Sequence, residues 1–120
     1  MPEYKLAPIE SRFADLIWQN EPLASSQLVK LAQEQLEWKK STTYTVLKRL
    51  CERRIFQNEN GTVTSLLSKE EFQSAQSEEF VNETFGGSLP AFLAAFGARK
   101  KLSQKDITQL ENLIREMKEG

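Results

Sequence analysis

The residues of this chain whose types and spacing could do chemistry are concentrated between positions 39 and 54. Lys39, Lys40, Lys48, Arg49, Arg53 and Arg54 stand there against Glu52 alone, a net charge of +5. Short hydroxyls and one aromatic lie among them: Ser41, Thr42, Thr43, Tyr44 and Thr45. On a helical wheel of about 100° per residue, Thr43, Val46, Leu47 and Leu50 cluster on one side. Ser41, Thr45 and Lys48 lie opposite, flanked by Tyr44, Arg49 and Thr42. Hydroxyls near the start of a helix and cations further along suit a nucleic-acid duplex. Ser and Thr pair with donors or acceptors on base edges, a Thr methyl can meet a thymine methyl, and Lys and Arg reach phosphates. The amides of a free first turn offer one more place for a phosphate. The same composition also describes a solvated helix face, so the surrounding elements must decide.

Most other chemistry is excluded. The 120 residues contain no His and one Cys. Without His there is no Ser-His-Asp or Cys-His catalysis, no His-ligated metal and no imidazole switch. Cys51 alone forms neither an internal disulfide nor a multi-thiolate site; it is expected as a small packed side chain. No metal or cofactor is expected. A lone thiol fits a reducing compartment. No apolar run approaches the roughly 20 residues of a membrane helix, and Met1 to Ala7 carries Glu3 and lacks the apolar region of a signal peptide. The expectation is a soluble, cytoplasmic protein without a membrane partner, and not an enzyme. Apolar residues at 39% and charged residues at 28% are ordinary for a globular chain. The net charge of −1 conceals an asymmetry: nine basic and eight acidic residues in 1–67, seven and nine in 68–120.

The elements that would position the 39–54 stretch follow from periodicity. A first helix over about 10–20 has Phe13, Leu16 and Ile17 on one face and ends at Asn20-Glu21-Pro22. A second follows Ser25 as N-cap and repeats Leu28, Leu31, Ala32 and Leu36. After a break at Glu37 to Lys40, a third covers about 41–54. Two short strands follow, Ile55–Asn58 and Thr62–Leu66, with Asn60-Gly61 between them as a type I′ turn. The Ser68-Lys69-Glu70-Glu71 capping box starts a fourth helix that runs to about Thr84 and carries Phe72, Phe80 and Val81. Gly86-Gly87 breaks it. Ser88 caps a fifth helix with Pro90 in its first turn, and Ser103 a sixth whose Ile107, Leu110, Ile114 and Met117 form a 3-4-3 seam.

Helix, helix, break, helix, hairpin is the order of a winged helix-turn-helix, whose second motif helix enters the major groove. The expected fold is therefore mainly α with a small β-hairpin wing: a winged helix-turn-helix DNA-binding domain over 1–67 and a helical dimerisation region over 68–120. Candidate DNA contacts are Lys39, Lys40, Ser41, Thr42, Tyr44, Thr45, Lys48, Arg49 and, from the wing, Asn60, with Asn58 and Thr62 beside it. Trp38 is expected to plug the space between the second and third helices, with contact to DNA sugar as the other reading.

Five of the seven Phe residues, 72, 80, 85, 92 and 96, lie in the last 53 residues. Three short helices cannot bury that surface alone, and a twofold dimer is the commonest remedy. The expected dimerisation residues are Phe80, Phe85, Leu89, Phe92, Leu93, Phe96, Ile107, Leu110 and Ile114. The other solution is a single monomeric core with the helices folded back.

The stretch Leu36-Glu37-Trp38, then Ser41 through Leu50, resembles the recognition-helix segment of the penicillinase and methicillin-resistance repressors and their copper-operon relatives. That pattern is Trp, three residues, Thr, two residues, Thr, three residues, Arg-Leu, and is met by Trp38, Thr42, Thr45, Arg49 and Leu50. Leu16-Ile17-Trp18 is similar to the family's opening segment. Phe80 through Phe96 and Leu102-Ser103-Gln104 with Ile107 are similar to its dimerisation region. The resemblance implies a homodimeric repressor on an inverted-repeat operator, often of TACA/TGTA type in this family. Twofold symmetry would set the recognition helices ~34 Å or a multiple apart. Three departures stand out. Arg53-Arg54 replaces Lys-Gly after the third helix, where the Gly makes a left-handed cap. Ala95-Phe96 replaces the Asn-Phe bond at which resistance repressors are cleaved, and the Cys-x-Cys pairs of copper-responsive members are missing. The inducing signal and any upstream sensor or protease stay open. A winged-helix module that binds another protein instead of DNA is the competing function.

Overall fold

The computed structural model describes residues 4–120. The elements run α1 (Pro8–Asn20), β1 (Leu23–Ala24), α2 (Ser25–Leu36), α3 (Lys40–Glu52), β2 (Phe56–Glu59), β3 (Thr62–Ser65), α4 (Lys69–Phe85), α5 (Leu89–Arg99) and α6 (Gln104–Glu119). All six expected helices and the hairpin are present, and the mainly helical winged fold stands. Asn60 at φ 53° and Gly61 at φ 83° give the two left-handed positions of the type I′ turn. They set β2 against β3 with Phe56 opposite Ser65 and Glu59 opposite Thr62.

The sheet has a third member that the sequence did not suggest. Leu23 and Ala24 pair antiparallel with Val63 and Thr62, giving the order β1-β3-β2. Two residues carry no readable alternation, so β1 exists only because β3 offers it a free edge. Ser25 also departs from expectation. Ala24 is the N-cap of α2 and Ser25 the first helical residue; Gln27 Oε1 accepts the Ala24 N–H at 2.9 Å. Ser25 instead donates its own N–H to the Gly61 carbonyl at 2.8 Å, fastening α2 to the wing turn. The other caps are as expected. Ser68 and Glu71 exchange hydrogen bonds at 2.9 and 3.0 Å, Ser88 accepts from Ala91 N, and Ser103 accepts from Asp106 N.

The first compact unit ends at Glu79. Its core joins Phe13, Leu16 and Ile17 of α1, Leu28 and Ala32 of α2, Val46, Leu47 and Leu50 of α3, and Leu23, Ile55, Phe56 and Val63 around the sheet. Each of these side chains larger than Ala32 contributes about 1.5–3 kcal/mol by leaving water. Phe72 of α4 belongs to this core: it is 4% exposed and packs edge-on or tilted against Tyr4 and Trp18. Lys69 adds an ion pair to Asp15 at 3.0 Å. The expected division between residues 67 and 68 therefore falls before an aromatic anchor of the first unit, and the unit's edge lies within α4. Phe72 is withdrawn from the surplus of C-terminal aromatics.

The second unit covers Phe80–Gly120. Gly86 and Gly87, at φ 58° and 83°, end α4 in conformations that a side chain would resist. Phe80, Phe85 and Phe92 form a triangle of edge-to-face rings with centroids 5.6–6.1 Å apart, and Phe96 continues it at 6.2 Å from Phe92. A groove of about 360 Å³ runs between α5 and α6, walled by Phe92, Leu93, Phe96, Leu102, Leu110 and Leu113. No residue of this unit is fully buried among the described residues.

Candidate nucleic-acid interface

The helix α3 starts one residue earlier than expected and ends at Glu52 in a Schellman turn. Arg54 adopts φ 65°, its N–H donates to the Cys51 carbonyl at 3.0 Å, and the Ile55 N–H donates to Leu50 at 3.2 Å. A left-handed cap is thus present although an arginine occupies it. Buried Ile55 and Leu50 supply the apolar contact that accompanies such a turn.

Around the α3 axis the burial follows the wheel. Thr43, Val46, Leu47 and Leu50 are buried, and the Thr43 hydroxyl is satisfied by the Lys39 carbonyl at 3.2 Å. All nine expected contact residues, Lys39, Lys40, Ser41, Thr42, Tyr44, Thr45, Lys48, Arg49 and Asn60, are exposed. They are not equally available. Thr45 donates its hydroxyl to the Ser41 carbonyl at 2.9 Å, which leaves that oxygen free only to accept. Tyr44, on one flank, donates to Ser25 Oγ at 3.2 Å. Arg49, on the other, pairs with Glu10 of α1 at 3.2 Å. Among the described residues, Lys39, Lys40 and Lys48 have no ion pair.

The wing differs from the helix. Residues 55–67 hold one acid, Glu59, and no base, so the strand tip Glu59–Thr62 can offer only amides and hydroxyls to a phosphate. Ser65 fixes its base: the Ser65 N–H and hydroxyl both donate to the Glu21 carboxylate at 2.8 Å. Trp38 packs on Phe13 of α1 with centroids 5.0 Å apart, and Trp18 donates Nε1–H to the Leu67 carbonyl at 2.9 Å. Cys51 is half-buried, and burial raises its thiol above the ordinary value, so it stays protonated at neutral pH.

Sequence reasoning missed Ser25, Glu10 and Glu21. Each acts through a partner 19 to 44 positions away, a separation that periodicity does not report. Of the expected dimerisation residues, Leu89, Ile114, Phe80, Phe96 and Ile107 are exposed at 61, 59, 49, 44 and 37%. Phe85, Phe92, Leu93 and Leu110 are half-buried. Leu113, 46% exposed, widens the apolar face of α6 beyond the expected seam. Among the described residues no helix is long and apolar enough to cross a membrane, and no acidic, Cys or His cluster could hold a metal.

A helix pair leading to an exposed hydroxyl-and-cation helix, closed by a three-stranded wing, defines a winged helix-turn-helix protein. The family model described as "Penicillinase repressor" matches residues 6–116, and the chain belongs to that family of transcriptional repressors. It is 24% identical over 115 residues to the methicillin resistance regulatory protein MecI of Staphylococcus aureus strain Mu50, covering 92% of this chain and 94% of that protein. The MecI protein of Mammaliicoccus sciuri is 23% identical over the same shares. The penicillinase repressor of Staphylococcus aureus is 21% identical over 107 residues, 86% of this chain and 85% of its own.

Proposed function

We propose that this chain is a homodimeric, sequence-specific repressor that holds an inverted-repeat operator through α3. The observation that carries the reading is the outward strip Ser41, Thr45 and Lys48: it is exposed, while the opposite side of the same helix is locked in the core. A groove-reading helix needs that division. Base preference would come from Ser41, Thr42 and Thr45, and phosphate contacts from Lys39, Lys40 and Lys48. The first turn of α2, beside Tyr44, and the Asn60 turn would lie along the flanking backbone through amides and hydroxyls. The exposed faces of α5 and α6 supply the apolar surface for a second copy, and two copies present the two helices that an inverted repeat requires.

Selection of bound duplexes from a random pool tests the reading. A pseudo-palindromic product, and a gel-shift affinity far above that for scrambled DNA, are expected. Three lysines per half-site give a log–log salt slope of about −5 for the dimer. Equal affinity for every duplex would sink sequence specificity. The acid in the wing favours one rival, a module that binds another protein; it predicts no shift at any salt concentration.

A further inference from the structure

Arg49 meets the family's Arg-Leu pattern and sits on a DNA-facing helix, so it reads at first as another phosphate contact. Its surroundings say otherwise. Glu10 lies at the third position of α1, and its side chain is only 14% exposed, against 55% for Arg49. Its two oxygens are divided: Oε1 accepts the Ala7 N–H at 2.9 Å and Oε2 accepts Arg49 Nη1 at 3.2 Å. Ala7, the N-cap of α1, has no side-chain oxygen of its own, so the helix start depends on Glu10. A largely buried carboxylate needs its charge answered, and Arg49 is the cation that answers it.

Resting on the DNA-binding reading above, we infer that Glu10 is a positioning residue for operator recognition. Through Arg49 it limits the rotational play that the buried face of α3 leaves about the helix axis. The guanidinium is held toward α1 on one flank of α3, as Tyr44 is held toward α2 by Ser25 on the other. The buried face of α3 sets its rotation, and two braces 5 residues apart on opposite flanks narrow the play about the setting in which Ser41, Thr45 and Lys48 point outward together. Arg49 is a brace and not a phosphate contact.

Glu10→Gln isolates the brace. The amide oxygen can still cap Ala7, while its NH2 group faces Arg49 and offers it nothing. In the full chain, Glu10→Gln and Arg49→Gln are each expected to lower operator affinity by about three- to tenfold. Both narrow the gap between operator and scrambled DNA, and neither changes the salt slope. If Arg49 touches phosphate and Glu10 competes for it, the outcome reverses. Glu10→Gln then tightens binding, and Arg49→Gln flattens the dimer's slope by about 2; either result overturns the inference. A double-mutant melting cycle without DNA separates this from failure of the DNA reading. The double variant should melt no lower than the lower of the two single variants. Additive shifts refute the brace even if no DNA ever binds, and wild-type protein that shifts no duplex refutes the DNA reading alone.

Discussion

The two compact units have made opposite arrangements with water. Up to Glu79, Phe13, Ile17, Leu28, Leu50, Ile55, Phe56 and Val63 are fully buried, and every element contributes to one core. From Phe80 onward four phenylalanines touch one another, yet Leu89, Ile114 and Met117 remain 59–70% exposed and no described residue is fully buried. A unit of the first kind is stabilised by its own interior. The second keeps several large apolar side chains in water, and contiguous exposed apolar surface is uncommon on monomeric domains. The lesson is a division of labour: the surface proposed for DNA sits on a unit with a buried core, and the surface proposed for pairing sits on helices whose apolar side chains stay exposed in the single chain.

The largest effect should come from the first unit. Phe13→Ala removes a fully buried ring that also packs against Trp38. It should lower stability by about 3–5 kcal/mol, equally at every protein concentration in urea melts followed by Trp fluorescence. A concentration-dependent loss would break the comparison, because it would mean the first core also depends on a partner. Phe96→Asp acts on the other unit. The side chain is 44% exposed in the single chain, so it should leave the first unit folded. It should yield monomers by sedimentation and reduce operator affinity about 100-fold or more, the gap between one and two linked half-sites. A Phe96→Asp protein that still sediments as a dimer would place the interface elsewhere.

What could be read in the sequence was what is local. Asn60-Gly61, the Ser68–Glu71 box, Ser88 and Ser103 each fix geometry within three or four residues, and each is found in the expected place. The inner and outer faces of α3 were legible for the same reason, since one helix carries both. The rest depends on distant partners. β1 is a strand only against Val63 and Thr62. Phe72 has the right spacing for a helix face, but nothing in its neighbourhood says that the face meets Tyr4 and Trp18 rather than the other C-terminal aromatics. The charge pattern correctly collected cations on α3, but Glu10, 39 positions away, decides what Arg49 does.

Two smaller effects sharpen the contrast by acting on the first unit alone. Arg54 holds φ 65° at the end of α3. Arg54→Gly should relieve that conformation and raise stability by about 1 kcal/mol, less whatever glycine adds to the freedom of the unfolded chain. The gain should appear in the urea midpoint of the first unit without altering sedimentation. A fall larger than the ~1 kcal/mol that glycine's freedom can cost would show that the arginine side chain, not the turn, is what matters there.

The smallest effect is a pH dependence. Burial raises the Cys51 thiol above its ordinary value near 9.0, so the folded protein holds that proton more tightly than the unfolded chain. Below the ordinary value both states are protonated and the contribution is complete. As pH climbs past it the unfolded chain ionises first, and stability falls until the raised folded value is passed. Cys51→Ala removes the group, and with it some packing that does not vary with pH. The difference between wild type and variant should therefore be flat to about pH 8 and shrink above pH 9 in urea midpoints taken across that range. A difference that stays constant to pH 10 would mean that Cys51 lies in no drier a place than the unfolded chain provides, and that the edge of the first core is wetter than its packing implies.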